Sequence, residues 1–389
     1  MLLRHRRLQI DSAIVHEVTE VVRPFNEITR PAAMVRRVPR ISSSLMLMAD
    51  RVPSRATPTA EGPNAPMAVT VDAVGHAPVA LFVYNRPDHT RQTLAALRAN
   101  TLANETPLYI FADAPRDEAD RADHAAVLEC VRDVQGFASV TLIRREWNFG
   151  LAKSIIDGAG MLCARHGRVI VLEDDLITSP HFLRYMNDAL DHYADDESVG
   201  CISAYMYPVK VPAGMSDTLL LPFPMSWGWA TWSRAWQLFE PDGRKLVQQL
   251  EACGLTASFD RVGPGNFMRM LNDQIEGRNN SWFIRWHASL FLAGKLSLAP
   301  VRSTIHNIGL DGTGVHCSSW RFDPYRVRPV AEPLVVRMVP HASVPAFDRA
   351  LRGFFIKSKI LRYVNALDRL LFRLMIRVGI KTGESNEKR

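Results

Sequence analysis

Arg168-Val-Ile-Val-Leu-Glu-Asp-Asp-Leu176 joins four consecutive apolar residues to three consecutive acids, Glu173, Asp174 and Asp175. An unbroken apolar run of this length reads as a buried strand of a parallel sheet. In open α/β sheets ligands gather beyond the carboxyl ends of such strands, which is where the three acids fall. Neighbouring carboxylates repel one another, and two ways of relieving that repulsion are open. A divalent cation with oxygen ligands, Mg2+ or Mn2+, would take up the charge and be completed by phosphate oxygens of a substrate. Alternatively the acids favour a helix N-terminus, because Thr178-Ser-Pro180 opens a helix expected over residues 181–193.

Upstream, the same grammar repeats. Val79 to Tyr84 reads as a strand, Asn85-Arg-Pro-Asp88 as a turn with Asp88 capping a helix, and Thr90 to Asn100 as that helix, with Leu94 and Leu97 facing inward. Pro107 to Ala112 is a second strand ending at Asp113, followed by a helix over about residues 117–134. Ser139 to Ile143 is a third strand, and Asn148-Phe-Gly150 opens a helix that runs through Ala164 before the acidic strand. Such alternation predicts an α/β fold, a mostly parallel Rossmann-like sheet flanked by helices. Residues 78–200 would form one half of a single catalytic domain, and residues 201–335 the other.

The first β-α turn, Tyr84-Asn-Arg-Pro-Asp88, is not G-x-G-x-x-G, and no Walker loop occurs anywhere. Dinucleotide enzymes and P-loop NTPases are thereby disfavoured. Asp113 is placed to accept hydrogen bonds from a base or ribose, with a helix cap or turn as its alternative role. Lys153 would meet a diphosphate beside the cation, or else lie on a solvated helix face. Together these point to a nucleoside diphosphate derivative as ligand.

The composition is globular, with 47% hydrophobic and 22% charged residues over 389 residues, and the net charge of +7 suits acidic partners such as phosphate, nucleotide or anionic lipid. Residues 1–77 are rich in Arg, Pro, Ser and Val and are expected to be a mostly disordered extension. Their arginines do not signal nucleic acid, since Arg preference holds until the first lysine of the chain, Lys153. The five scattered cysteines contain no C-x-x-C pair, and no signal-peptide pattern opens the chain, so a reducing cytoplasm is expected.

Downstream, four of the eight tryptophans crowd into Ser226-Trp-Gly-Trp-Ala-Thr-Trp-Ser-Arg-Ala-Trp236. Sugar rings pack on aromatic planes, so Trp227 and Trp229 are candidate acceptor contacts, with Gly228 admitting a close backbone approach. Trp232 and Trp236 have the i, i+4 spacing of a buried helix face. A glycine-rich loop, Asn307 to Cys317, follows an expected strand at Ser297 to Val301; in it His316 is a candidate for metal or diphosphate, and Asp311 a weaker one. From Gly353 on, Lys359, Arg362, Arg369, Arg373 and Arg377 recur at helical spacing among Ile360, Leu361, Val364, Leu367, Leu371, Leu374 and Ile376. Within a tail spanning residues 336–389, that pattern fits a basic amphipathic helix on an anionic membrane surface, or a terminal helix packed on the domain.

The ordered set FVYNRP (82–87), FAD (111–113), NFGLAKS (148–154), LEDDL (172–176), SWGWATW (226–232), SWFIRW (281–286) and NIGLDGTGVHC (307–317) resembles the GT-A fold glycosyltransferases, close to family 2 and to N-acetylglucosaminyltransferase I-like enzymes. The resemblance implies that the acidic triplet stands in for D-x-D, with Asp175 on a Mn2+ or Mg2+ ion. It implies a nucleotide-sugar pocket at Tyr84, Asn85, Arg86 and Asp113, extended by Asn148, Gly150, Lys153, Glu173 and Asp174, and an acceptor side at Trp227, Gly228, Trp229, Trp282 and Arg285. It implies an inverting transfer to a saccharide or lipid-linked acceptor in cell-envelope polysaccharide synthesis, in the cytoplasm or peripheral on the inner face of the cell membrane. In relatives an acid often precedes the Ser-Trp of this segment, whereas here Asn280 does. Asparagine cannot accept a proton, so either Asp273 or Glu276 on the preceding helix supplies the carboxylate, or the protein is slower or altered in its chemistry. Alternatives are a nucleotidyltransferase, disfavoured by the first turn, and a catalytically silent sugar-binding relative, favoured by Asn280.

Overall fold

Eight strands form one sheet in the order β3-β2-β1-β4-β8-β6-β9-β7. The computed structural model describes the backbone of residues 75–311, 323–342 and 344–377, and the side chains of all these but 362 and 366–377. Residues 1–74 of the extension expected over 1–77, the metal ligand expected at His316, Cys317, and the side chains of Arg362, Arg369, Arg373 and Arg377 lie outside the described residues.

The strands β1 (Val79–Val83), β2 (Pro107–Ala112), β3 (Ser139–Arg144) and β4 (Arg168–Glu173) are mutually parallel, with Val79 opposite both Leu108 and Ile170. Each crossover is a helix: α1 (Pro87–Arg98), α2 (Arg121–Arg132) and α3 (Leu151–His166). Period-two alternation splits the strands between two cores. Val79, Leu81 and Val83 pack with Leu94, Leu97, Val127 and Val131 of α1 and α2, whereas Ala80 and Phe82 pack with Ile155, Ala159 and Leu162 of α3. Helices therefore cover both faces, and the sheet is mostly parallel, as the alternation predicts.

The half that follows is less regular. A short strand, β5 (Leu176–Thr178), intervenes between the acids and helix α4 (Phe182–His192), so the triplet does not cap that helix. β6 (Val199–Ser203) rejoins the main sheet and spans the expected junction at residue 200, β7 (Thr218–Leu221) closes one edge, and β8 (Trp229–Trp232) inserts antiparallel between β4 and β6. The i, i+4 pair of indoles is thus not on one helix: Trp232 ends β8, and Trp236 ends the four-residue helix α5 (Ser233–Trp236). Both are buried all the same. Helices α6 (Gly243–Ala252), α7 (Thr256–Arg261), α8 (Phe267–Ile275) and α9 (Trp282–Leu292) lead to β9 (Leu296–Pro300) and β10 (Ile305–Asn307). A last helix, α10, spans Pro345–Arg377.

Candidate functional site

The carboxyl ends of β1 and β4 are neighbours at the middle of the sheet, and the turn after β1 lies beside the acids after β4. Arg86, from that turn, bridges two of them: Nη2 donates to Asp174 Oδ1, and Nη1 lies 3.0 Å from Asp175 Oδ2. Backbone anchors hold the acids in place, since Thr93 Oγ1 donates to the Asp174 carbonyl (2.7 Å) and the Ile308 amide to the Asp175 carbonyl (2.9 Å). The second contact continues the β5–β10 ribbon, which lays Gly309 directly over the ion pair. A Cβ at Gly309 would overlap Asp175 Oδ2 and stand 2.9 Å from Arg86 Nη1, so any larger residue would have to displace the ion pair.

Burial dominates the electrostatics here. It pushes Glu173 up to about 8, with Asp175 and Asp174 adding to the rise and Arg86 opposing it. Burial also raises Asp174 to about 6 against the pull of Arg86. Burial works against the charge on Arg86, but Asp174 and Asp175 more than offset it and raise its pKa. Among the described residues no cluster of three or more potential ligands is assembled around one point. The donor set nevertheless fits a hard divalent cation, because two buried carboxylates share one place and already hold a positive group there, the guanidinium.

Beside this pair lies a cluster that sequence reasoning missed. Asp120 accepts from Tyr84 Oη (2.5 Å), Asn85 Nδ2 (2.8 Å) and Arg116 Nε (2.9 Å). These bonds, Arg116 first and Tyr84 second, hold the Asp120 carboxyl well below the usual carboxylate range. Asp120 occupies the N-cap position of α2 without capping it, because its side chain is turned to the β1 turn. The one local signal was its i, i+4 spacing from Arg116, a pattern too common to mark a site.

Asp113 has a definite structural task. Its carboxylate accepts from the amides of Phe149 (2.7 Å), Gly150 (2.8 Å) and Ala114 (3.0 Å) and from Asn148 Nδ2 (3.2 Å), which fixes the turn that opens α3. The turn aims Phe149 between two cations, Lys153 Nζ at 4.0 Å and the Arg145 guanidinium at 4.5 Å from the ring centre. Lys153 then lines a cavity of about 360 Å³ together with Asp157, Asn280 and Arg285.

Among the residues expected to meet the acceptor, Trp229 stacks on Trp282 (5.1 Å) and Trp236 (5.6 Å) and meets Trp286 (6.2 Å), with Trp229 and Trp282 both buried. Trp227 is half-buried, with its ring edge-on to Tyr205 and Tyr325. Gly228 has a positive φ of 63°, and a Cβ there would crowd Ala204 at 3.1 Å. Arg285 donates to the carbonyls of Ser281 (3.1 Å) and Pro241 (3.2 Å) and reaches Asn280 Oδ1 at 3.4 Å, while burial lowers its pKa. Arg278 holds both candidate bases, through Nε to Asp273 at 2.6 Å and through Nη1 to Glu276. Asp311 pairs with His89 at 3.2 Å.

No family model matches this chain, and no curated protein matches it. Among solved structures it is similar over part of its length to a mannosyltransferase from Pyrobaculum calidifontis in complex with GDP-Man and Mn2+, with 14% identity, 47% of this chain and 48% of that one covered, and a TM-score of 0.28. It is also similar to S. aureus TarS, with 12% identity, 60% and 36% covered, and a TM-score of 0.33. A third match is a mycobacterial protein, with 11% identity, 48% and 64% covered, and a TM-score of 0.28. The chain spans less than two thirds of the length of each, and likeness at this level assigns neither family nor activity.

Proposed function

We propose that residues 78–335 form a glycosyltransferase domain that moves a sugar, with inversion, from a nucleoside diphosphate sugar to a saccharide or lipid-linked hydroxyl. The observation that carries this is the buried Arg86–Asp174–Asp175 cluster at the carboxyl end of the central parallel strands, where such sheets take ligands. Asp175, with Asp174, would hold Mg2+ or Mn2+, which supplies neutralisation of the charge that develops on the departing diphosphate. Arg86 is the group placed to exchange a carboxylate for a phosphate oxygen as the donor enters. Asp120 fixes Tyr84 and Asn85 in position for the nucleoside. Asp273 or Glu276, once released from Arg278, takes the acceptor proton, and the half-buried Trp227 offers its ring to the acceptor sugar. Cell-envelope polysaccharide assembly is the setting that the motif resemblance suggests.

The test is a thermal-shift screen of nucleoside diphosphate sugars with and without Mn2+, followed by donor hydrolysis. A ligand that binds the native state raises the melting temperature by mass action. At least one donor should do so in a Mn2+-dependent way; a flat screen refutes the proposal. A second, silent reading is favoured by one observation, the pairing of both candidate bases with Arg278 beside an asparagine at the expected acid position. It requires donor binding without turnover, and a gain of activity in Asn280→Asp.

A further inference from the structure

The helix α10 is mounted on the domain by one face only. Phe347, Leu351, Phe354 and Ser358 are buried, and Phe354 and Phe355 pack on Tyr207 at 5.1 and 5.0 Å. The opposite face carries Ile356, Ile360, Tyr363 and Val364, which are 39%, 58%, 76% and 43% exposed. At 3.6 residues per turn these form one ridge, and Leu367, Leu371 and Leu374 continue its spacing in the sequence. An amphipathic helix that caps a soluble domain turns its apolar side inward. Here apolar side chains line both sides, and the outer ones form a contiguous strip, which marks an interaction surface.

Charge decides what covers it. Lys357 and Lys359 flank the ridge, each roughly 80° from its centre, where long cationic side chains reach out beside a submerged apolar strip. From Arg349 to Leu367 the sequence holds five cations, Arg349, Arg352, Lys357, Lys359 and Arg362, and no acid. A second copy of this helix would set cation against cation. Lys357 also lines, with Lys210 and the acid Asp323, a cavity of about 480 Å³ between the helix and the domain. No helix among the described residues is long and apolar enough to cross a membrane.

We infer that the Ile356–Ile360–Tyr363–Val364 ridge lies in the headgroup layer of an anionic bilayer, with Lys357 and Lys359 on lipid phosphates to either side. The contact is apolar at its centre and cationic at its margins, and it differs from the arginine stripe that the sequence pattern alone suggested. It is independent of the transfer chemistry, and no donor or acceptor is needed to detect it.

The experiment is co-sedimentation of the full chain with vesicles of phosphatidylcholine alone and of equimolar phosphatidylcholine and phosphatidylglycerol. The protein should partition onto the mixed vesicles, and less so at high salt. Ile360→Ser with Tyr363→Ser should lower partitioning by about tenfold or more with an unchanged melting temperature, because two large apolar side chains then lose their burial in the headgroup layer. Lys357→Gln and Lys359→Gln should each cost about fivefold. Equal binding by the serine variant, equal binding to both vesicle types, or no binding to either overturns the inference. So does a concentration-dependent dimer in light scattering that the serine variant abolishes, since a second copy would then be the occupant.

Discussion

Two arginines each clamp two carboxylates, and they differ in burial. Arg86 holds Asp174 and Asp175 with side chains 18%, 5% and 10% exposed, whereas Arg278 holds Asp273 and Glu276 at 57%, 25% and 54%. In the first cluster water is excluded, so each charge depends on its partner, and removing one strands the others. In the second, solvent screens the pairs, and their net worth is small. The first keeps charge in a place that disfavours it, which is what the proposed ligand site requires. The second can open at little cost, as a base that has to reach an acceptor would need.

The largest expected effect separates the clusters by chemistry. Asp175→Asn should reduce transfer by at least about 10³-fold, several kcal/mol of transition-state stabilisation, and should abolish any Mn2+-dependent thermal shift. Retained activity would remove the acidic cluster from the mechanism. In the second cluster the true base, Asp273 or Glu276, should lose about 10²-fold on replacement by alanine with donor binding intact. If both variants keep full turnover, the base lies elsewhere.

Stability should follow burial. Arg86→Met is expected to lower the unfolding free energy of the metal-free protein by about 3 kcal/mol in urea titration, because two buried aspartates lose their cation. Arg278→Met should stay within about 1 kcal/mol. Equal effects would break the contrast between the clamps.

His287 sharpens the contrast further, being buried with no hydrogen-bond partner among the described residues. Its ring lies 4.9 Å from Phe259 and 4.4 Å from Phe267, and neither nitrogen is hydrogen-bonded. Burial lowers its pKa from 6.5 to about 3. Between those values the unfolded chain binds a proton that the folded chain refuses. The stabilisation is therefore complete above pH 6.5 and is lost as pH falls toward 3. It amounts to a few kcal/mol at most, at about 1.4 kcal/mol per unit. Denaturant titrations across that window should show the loss, and His287→Phe should flatten it; an unchanged slope would mean that the ring is hydrated.

The first half of the sheet was readable in advance because its code is local. Apolar runs and helical spacing over residues 79–173 place four strands and three helices, with ends shifted by a few residues at most, and the acids fall at a strand end by adjacency alone. The second half was not, since β8 and α5 share the Trp232–Trp236 spacing that a helix also shows. Nothing within a few residues distinguishes an antiparallel insertion from a helical turn. What sequence alone determined is this order of elements and the presence of three acids at the end of β4, Glu173 as its last residue and Asp174 and Asp175 just beyond it. Only the tertiary structure decided who answers those acids: Arg86 lies 88 residues from Asp174, Asp120 lies 36 from Tyr84, and Gly309 crosses over Asp175 from a separate ribbon. Such partners are chosen by sheet order and burial, which sum interactions over the whole chain, so the chemistry of a charged site emerges only once the sheet has brought its ends together.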